Sequence, residues 1–323
     1  MKIKIAVIGG GTGNFTILNG LKLYKPLDIS VVVSMVDDGG STGILRSEFG
    51  ILPPGDVRQC MIALSEESAL IQRLFQYRFS GSLGNHSFGN LFHLALSEIT
   101  GSEEKAIEEM SRILKISGNV YPVTLSNVRL NAELEDGTLV NGETNIDLPK
   151  HDANLQISKL FLSREAKANP LAVAAIESAD CIIISPGDLF SSILPNFLVD
   201  GISQVVSRSK ALKIYVCNLM TKHGETTGFS ATDHVAAIHR YIGKKCIDVV
   251  LVNSATLSKA QIDEYATENS FPVDYDVDSL REEGVGRVVE SALTSSHALV
   301  RHDSNQIAWE LFKVIRENQA TAS

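Results

Sequence analysis

Near its amino end the chain sets three turns rich in glycine and aspartate, each where an apolar run ends. They are Gly9-Gly10-Gly11-Thr12-Gly13, Asp37-Asp38-Gly39-Gly40-Ser41-Thr42-Gly43 and Pro53-Pro54-Gly55-Asp56-Val57-Arg58. Glycine lets backbone N–H groups approach an anion, and a helix starting just after the turn adds the positive end of its dipole. Adjacent carboxylates favour a cation or sugar hydroxyls instead. A phosphate cradle beside a carboxylate turn suits a phosphate-bearing ligand with a divalent ion, for which Asp37, Asp38 and Asp56 are the candidate magnesium donors. Asp56 has a second reading, because Asp56-x-x-Gln59 also fits a capping box. The glycine turn has one too, as tight packing after a first strand. It lacks the lysine of a P-loop, and the dinucleotide fingerprint would put its third glycine at Asn14 or Thr16, so an NAD-dependent oxidoreductase is discouraged.

Further along, Ser185-Pro186-Gly187-Asp188-Leu189-Phe190-Ser191-Ser192 reads as a second anion cradle, with hydroxyls and N–H groups at a helix start. Gly10, Gly11, Thr12, Gly13, Ser185, Gly187, Ser191 and Ser192 are therefore the expected phosphate contacts, with Asn218 and Thr221 adding polar ones. Arg301 is a candidate phosphate clamp, its planar fork matching phosphate oxygens. In Gly84-Asn85-His86-Ser87-Phe88-Gly89-Asn90, His86 is a candidate proton-transfer group or phosphate donor, and His86 and Asn90 are candidates for sugar binding. The same stretch also reads as a helix start capped by Ser87 or Asn85. Tyr265 is a candidate to stack on a sugar or donate to it, or else a half-buried helix tyrosine.

These residues need elements to hold them. Apolar β-branched runs at Ile3–Ile8, Ile29–Val36, Cys181–Ser185, Lys213–Asn218, Ile247–Asn253 and Ala298–Arg301, with a weaker one at Phe271–Tyr275, suit strands buried on both faces of a parallel sheet. Helix-like segments lie between them, with start signals at Ser258-x-x-Gln261 and at Ser102 followed by Glu103 and Glu104. From Val120 to about Leu162 the alternation of polar and apolar residues, with Asp136-Gly137 and Asn141-Gly142 turns, predicts an antiparallel β-hairpin insertion. Gly9–Gly13, Asp37–Gly43, Ser185–Asp188, Asn218–Gly228, Asn253-Ser254 and Arg301-His302-Asp303 each follow a strand candidate. An open α/β sheet would gather them on the edge where such sheets bind ligands.

The 323 residues, 44% of them hydrophobic, supply ample core, and a net charge of −9 without a basic run argues against nucleic acid as a partner. The four cysteines are dispersed and form no Cys-x-x-Cys pair, so they read as reduced thiols. No apolar stretch reaches transmembrane length, and a strand begins within two residues of the start, so no membrane insertion and a cytoplasmic location are expected.

Gly-Gly-Gly-Thr-Gly at 9–13, Asp-Asp-Gly-Gly-Ser-Thr-Gly at 37–43, Pro-Pro-Gly-Asp-Val-Arg at 53–58, His-Ser-Phe-Gly-Asn at 86–90, Ser-Pro-Gly-Asp-Leu-Phe-Ser-Ser-Ile-Leu-Pro-Asn at 185–196 and Cys-Asn-Leu-Met-Thr at 217–221 occur in order through nearly the whole chain. Together they resemble the bacterial gluconeogenesis factor family (YvcK type), related to the 2-phospho-L-lactate transferases (CofD type). The resemblance implies an α/β, Rossmann-like three-layer sandwich with a mostly parallel sheet, formed as a single domain over 1–323 with the hairpin insertion at about 120–162. It implies a regulatory factor that binds UDP-sugars such as UDP-N-acetylglucosamine and is needed for cell shape and wall synthesis during gluconeogenic growth. The alternative it carries is a magnesium-dependent transferase acting on a nucleotide-linked donor, so enzymatic activity is open. A nucleotide-sugar ligand is the expected partner, with a homo-oligomer and a protein partner as further candidates.

Overall fold

The computed structural model describes residues 2–81, 84–295 and 299–322. Ten strands are present among them: β1 (Ile3–Gly9), β2 (Leu27–Val33), β3 (Asn119–Pro122), β4 (Leu130–Leu134), β5 (Leu139–Asn141), β6 (Ile157–Leu162), β7 (Cys181–Ile184), β8 (Leu212–Val216), β9 (Val249–Asn253) and β10 (Arg287–Ser291). Seven form one sheet in the order β10-β9-β8-β7-β1-β2-β3, and every pairing in it is parallel. The β-branched runs meet the demand of this position: Ile5, Ala6, Val7 and Ile8 on β1 and Ile182, Ile183 and Ile184 on β7 are fully enclosed. From β1 the strand order runs outward in two directions, so right-handed crossovers put the following helices on opposite faces. On one face helix Gly11–Leu21 packs on helices Pro54–Leu64 and Ser304–Ala322; elsewhere Ile202–Arg208 packs on Pro170–Glu177 and Ala231–Ile242. The result is the expected α/β sandwich, with a wholly parallel main sheet.

Several boundaries differ from the sequence reading. The last strand is Arg287–Ser291, whose alternating burial hid it from a search for continuous apolar runs. Of the run expected at Ala298–Arg301, Ala298 lies outside the described residues and Leu299 to Arg301 form no strand. Phe271–Tyr275 is not a strand either; Pro272 makes one isolated bridge with Met220. Asn119–Pro122 pairs in parallel with β2, so it completes the main sheet instead of opening the insertion. The insertion is the antiparallel sheet β5-β4-β6, turning at Gly137, with a short helix Glu143–Asp147 between β5 and β6.

The local signals fared unevenly. Ser258 and Gln261 form the expected capping box, and Ser102 caps its helix. Asp56 does not cap its own helix, which starts at Pro54 with Pro53 at the cap position, because proline is already shaped for a first turn. The four cysteines are free thiols, with Cys60, Cys181 and Cys217 buried. Among the described residues no helix is long and apolar enough to cross a membrane.

Candidate functional site

β1 and β7 are neighbours at the point where the strand order changes direction, in register through Ile8 and Ile184. Their following turns therefore face each other across the crevice where open α/β sheets bind ligands. The contact is close. A Cβ on Gly9 would overlap the Ser185 hydroxyl, and one on Gly13 would overlap the Pro186 carbonyl oxygen. On the crevice side Gly10 faces Ser192, whose Cβ would stand 2.9 Å from an added methyl. The packing reading of the glycine turn thus holds at Gly9 and Gly13, and Gly11 is packed in the same way against Asp56.

At three helix starts a carboxylate of the protein stands where the positive end of the helix favours an anion. Asp56 accepts the Gly11 amide at the start of helix Gly11–Leu21. Asp37 lies at the start of helix Pro54–Leu64, its Oδ2 2.9 Å from where a Cβ on Gly55 would be, and accepts Gly39 N–H at 3.0 Å and the Thr42 hydroxyl. Glu225 accepts Phe190 N–H at 2.8 Å, Ser191 N–H at 3.1 Å and the Ser191 hydroxyl at 2.8 Å. Positive helix ends and N–H groups make these the least costly places to keep carboxylates in a poorly solvated crevice.

They remain costly. Burial raises the Asp37 carboxyl above its ordinary range, with Asp38 adding to it, and burial then the charge of Asp37 raises Asp56. Glu143, delivered by the short helix of the insertion, is pushed to about 9 by burial and then by Asp37, Asp147, Asp38 and Asp56. Burial and Asp188 raise Glu225. A crevice of carboxylates that resist ionising is one that gains from a cation.

Asp38, expected to share a metal with Asp37, is instead taken up. Its Oδ1 accepts the Thr144 amide at 2.9 Å and the Thr144 hydroxyl at 2.8 Å, and Arg129 lies 3.3 Å from its Oδ2. Asp38 docks the insertion, and Asp37 and Asp56 stay in the crevice. Among the described residues, three carboxylates bring oxygens within 4.8 Å of one another: Asp147, Asp188 and Glu225. Lys222 reaches into that group, 2.9 Å from Asp147 and 3.8 Å from Asp188. Its ammonium is held charged well above the ordinary lysine range, the attraction of Asp188 and Asp147 outweighing burial.

The other expected contacts sort into lining and framework. Gly10 is buried and Ser192, beside it, is half-buried. Ser185 is fully buried against Gly9, and the Ser191 hydroxyl is spent on Glu225. Asn218 donates to the Gly187 carbonyl at 2.7 Å and accepts its N–H at 3.3 Å, so it shapes the second turn. Thr221 is buried and stitched to Phe271, its hydroxyl accepting Phe271 N–H at 2.9 Å. Tyr265 donates to the Val300 carbonyl at 3.3 Å, which brings it beside Arg301. Arg301 is exposed and follows no strand, yet its neighbour His302, kept neutral by burial at about 4, donates to Cys217 O at 3.2 Å. That bond ties the Arg301 segment to the carboxyl end of β8. His86 and Asn90 meet at Ser41: His86 Nδ1 is 2.8 Å from its hydroxyl and Asn90 Nδ2 donates to it at 3.1 Å. Ser87 caps its helix, as the second reading held.

Sequence reasoning missed Glu143, Asp147, Lys222 and Glu225, and quoted Asp188 and Arg58 only as parts of motifs. Asp188 and Arg58 had a signal, since each lies in a turn already singled out. Lys222 and Glu225 lie in the stretch after β8, whereas nothing local marks Glu143 or Asp147. A cavity of 1020 Å³ lined by Glu177, Asp180, Arg208 and Lys210 lies by the amino ends of β7 and β8, away from all these motifs.

A family model described as 2-phospho-L-lactate transferase CofD matches residues 5–294. The chain is 42% identical over 320 residues to the gluconeogenesis factor of Bacillus subtilis, covering 98% of this chain and 99% of that one. It is 40% identical over 318 residues to the gluconeogenesis factor of Listeria innocua, covering 97% and 96%. A crystal structure of a UPF0052 family member from Bacillus halodurans superposes with a TM-score of 0.91 at 39% identity, covering 97% of this chain and 100% of that one. With crevice, motif order and full-length likeness in agreement, the chain belongs to the bacterial gluconeogenesis factor family, related to the CofD-type 2-phospho-L-lactate transferases.

Proposed function

We propose that the protein is a cytoplasmic regulatory factor that binds a UDP-sugar of the UDP-N-acetylglucosamine type, with magnesium, and acts on cell shape and wall synthesis during gluconeogenic growth. The observation that carries this reading is the set of buried, charge-resisting carboxylates at the strand-order switch. A divalent ion on Asp37 and Asp56 relieves their repulsion and carries the diphosphate with it, since magnesium commonly takes one or two carboxylates plus phosphate oxygens. The oxygen-only donors suit a hard cation. In this reading the diphosphate lies along Gly10 and Ser192, and the sugar or base extends toward Tyr265 and Arg301. A factor of this kind would act through a protein partner that reads the loaded state. Its relatives' name, gluconeogenesis factor, supports a regulatory role.

The match to the transferase model favours a second reading, magnesium-dependent transfer from a nucleotide-linked donor, in which the metal would offset charge on the transferring group. Calorimetric titration with UDP-N-acetylglucosamine, with and without magnesium and with GDP and NAD as controls, tests both. Saturable, magnesium-dependent binding without product by chromatography supports the regulatory reading. Preference for GDP, or product formation, transfers the case to the second.

A further inference from the structure

Four side chains on three segments form a directional chain ending at the crevice. Arg58 Nε donates to Asn90 Oδ1 at 2.8 Å, Asn90 Nδ2 donates to Ser41 Oγ at 3.1 Å, and Ser41 Oγ is 2.8 Å from His86 Nδ1. A guanidinium has no acceptor, so Asn90 must turn its carbonyl oxygen to Arg58 and its amide to Ser41. Ser41 therefore accepts from Asn90, and among the described residues the remaining partner for its own proton is His86 Nδ1. Ser41 is buried, so leaving that proton without an acceptor would be costly. The polarity of the whole chain is set by the permanent charge of Arg58, which is itself buried.

We propose that this chain fixes His86 as a neutral imidazole with its proton on Nε2, making His86 a built-in donor for a ligand phosphate oxygen. Asn90, which the sequence suggested as a sugar contact, is thereby a positioning residue, as is Ser41. His86 is half-buried, and no described residue occupies its Nε2; beside it Gly84 carries no side chain, and a Cβ there would stand 3.7 Å away. Ser41 and Thr42 are adjacent, one bonded to His86 and the other to Asp37, so the donor stands at the edge of the carboxylate crevice. A neutral donor suits that place, because an imidazolium would pair with the carboxylates and compete with the cation they await. The ligand half of this inference rests on the diphosphate reading above; the tautomer does not.

Long-range proton–nitrogen correlation on the 15N-labelled full chain tests the tautomer directly. The expected signature is a protonated Nε2 with a bare Nδ1. In Asn90→Asp the new carboxylate takes the Ser41 proton, and His86 should switch to protonated Nδ1; in Ser41→Ala both tautomers should appear. A wild-type imidazolium or Nδ1–H form, or no change in either variant, overturns the chain. For the ligand half, His86→Phe should weaken UDP-N-acetylglucosamine binding by roughly tenfold to a hundredfold, and His86→Gln should recover part of it through its amide donor. Equal binding by wild type and His86→Phe overturns the ligand role alone. Failure of wild type to bind overturns the diphosphate reading and the ligand role, and the tautomer result is unaffected.

Discussion

The turns after β1 and β7 have similar compositions and unequal sets of donors. After β7 the amides of Phe190 and Ser191 and the Ser191 hydroxyl all converge on Glu225, a carboxylate with its bonds made. After β1 the Gly11 amide meets Asp56, which faces a second carboxylate, Asp37, across the crevice. Both resist ionising, through burial and then a like charge, Asp188 beside Glu225 and Asp37 beside Asp56. The difference is that Glu225 fastens its turn through three donors and Asp56 accepts one amide. A full set of donors offsets part of the cost of a buried carboxylate, whereas a single donor leaves more of that cost for a cation to relieve. The same chemical group at two helix starts thus holds three donors in one place and one in the other.

This contrast predicts different failures. Glu225→Ala should be the most damaging change, leaving two amides and a hydroxyl buried without an acceptor; a loss of about 3 kcal/mol in urea unfolding is expected. Gly13→Ala should cost about 2–3 kcal/mol by the same measurement, since its methyl would overlap the Pro186 carbonyl and push the two turns apart. Asp56→Asn keeps an acceptor for the Gly11 amide and removes repulsion with Asp37. Its unfolding midpoint should hold or rise while magnesium-dependent UDP-sugar affinity falls at least about tenfold. If Asp56→Asn destabilises as Glu225→Ala does, the two turns are alike and the contrast fails.

A further prediction concerns the electrostatics. Glu143 titrates near 9 in the fold against an ordinary 4.5, so the folded chain keeps a proton that the unfolded chain releases. Its favourable contribution is complete below 4.5 and is lost as the pH rises through about 9. Glu143→Gln should therefore gain in melting temperature over wild type as the pH rises through that window, and match it in acid. A constant difference across the window would remove Glu143 from the charged crevice.

Much of this was legible in the chain. The continuous apolar runs at Ile3–Ile8 and Cys181–Ser185 can be satisfied only by strands covered on both faces, and the turns that end them could be placed on one sheet edge from that alone. What a turn would bind could not be read the same way. Gly9–Gly13 has the composition of an anion cradle; that its Gly11 amide meets Asp56 depends on helix Pro54–Leu64 lying against helix Gly11–Leu21. Asp37 and Asp38 are adjacent in sequence and look interchangeable. Their side chains part because Thr144, 106 residues beyond Asp38, arrives with the insertion to take Asp38.

The sequence by itself determined the parallel sheet, the edge on which its polar turns gather and the kind of residues that gather there. Those follow from local periodicity, from burial on both faces and from the conformations glycine and proline permit. Only the tertiary structure decided which carboxylate is bonded and which is exposed to repulsion, and which way the Arg58–Asn90–Ser41 chain points at His86. Hydrogen-bond pairing and desolvation depend on neighbours at a few ångströms, and those neighbours come from segments that meet only once the chain has folded.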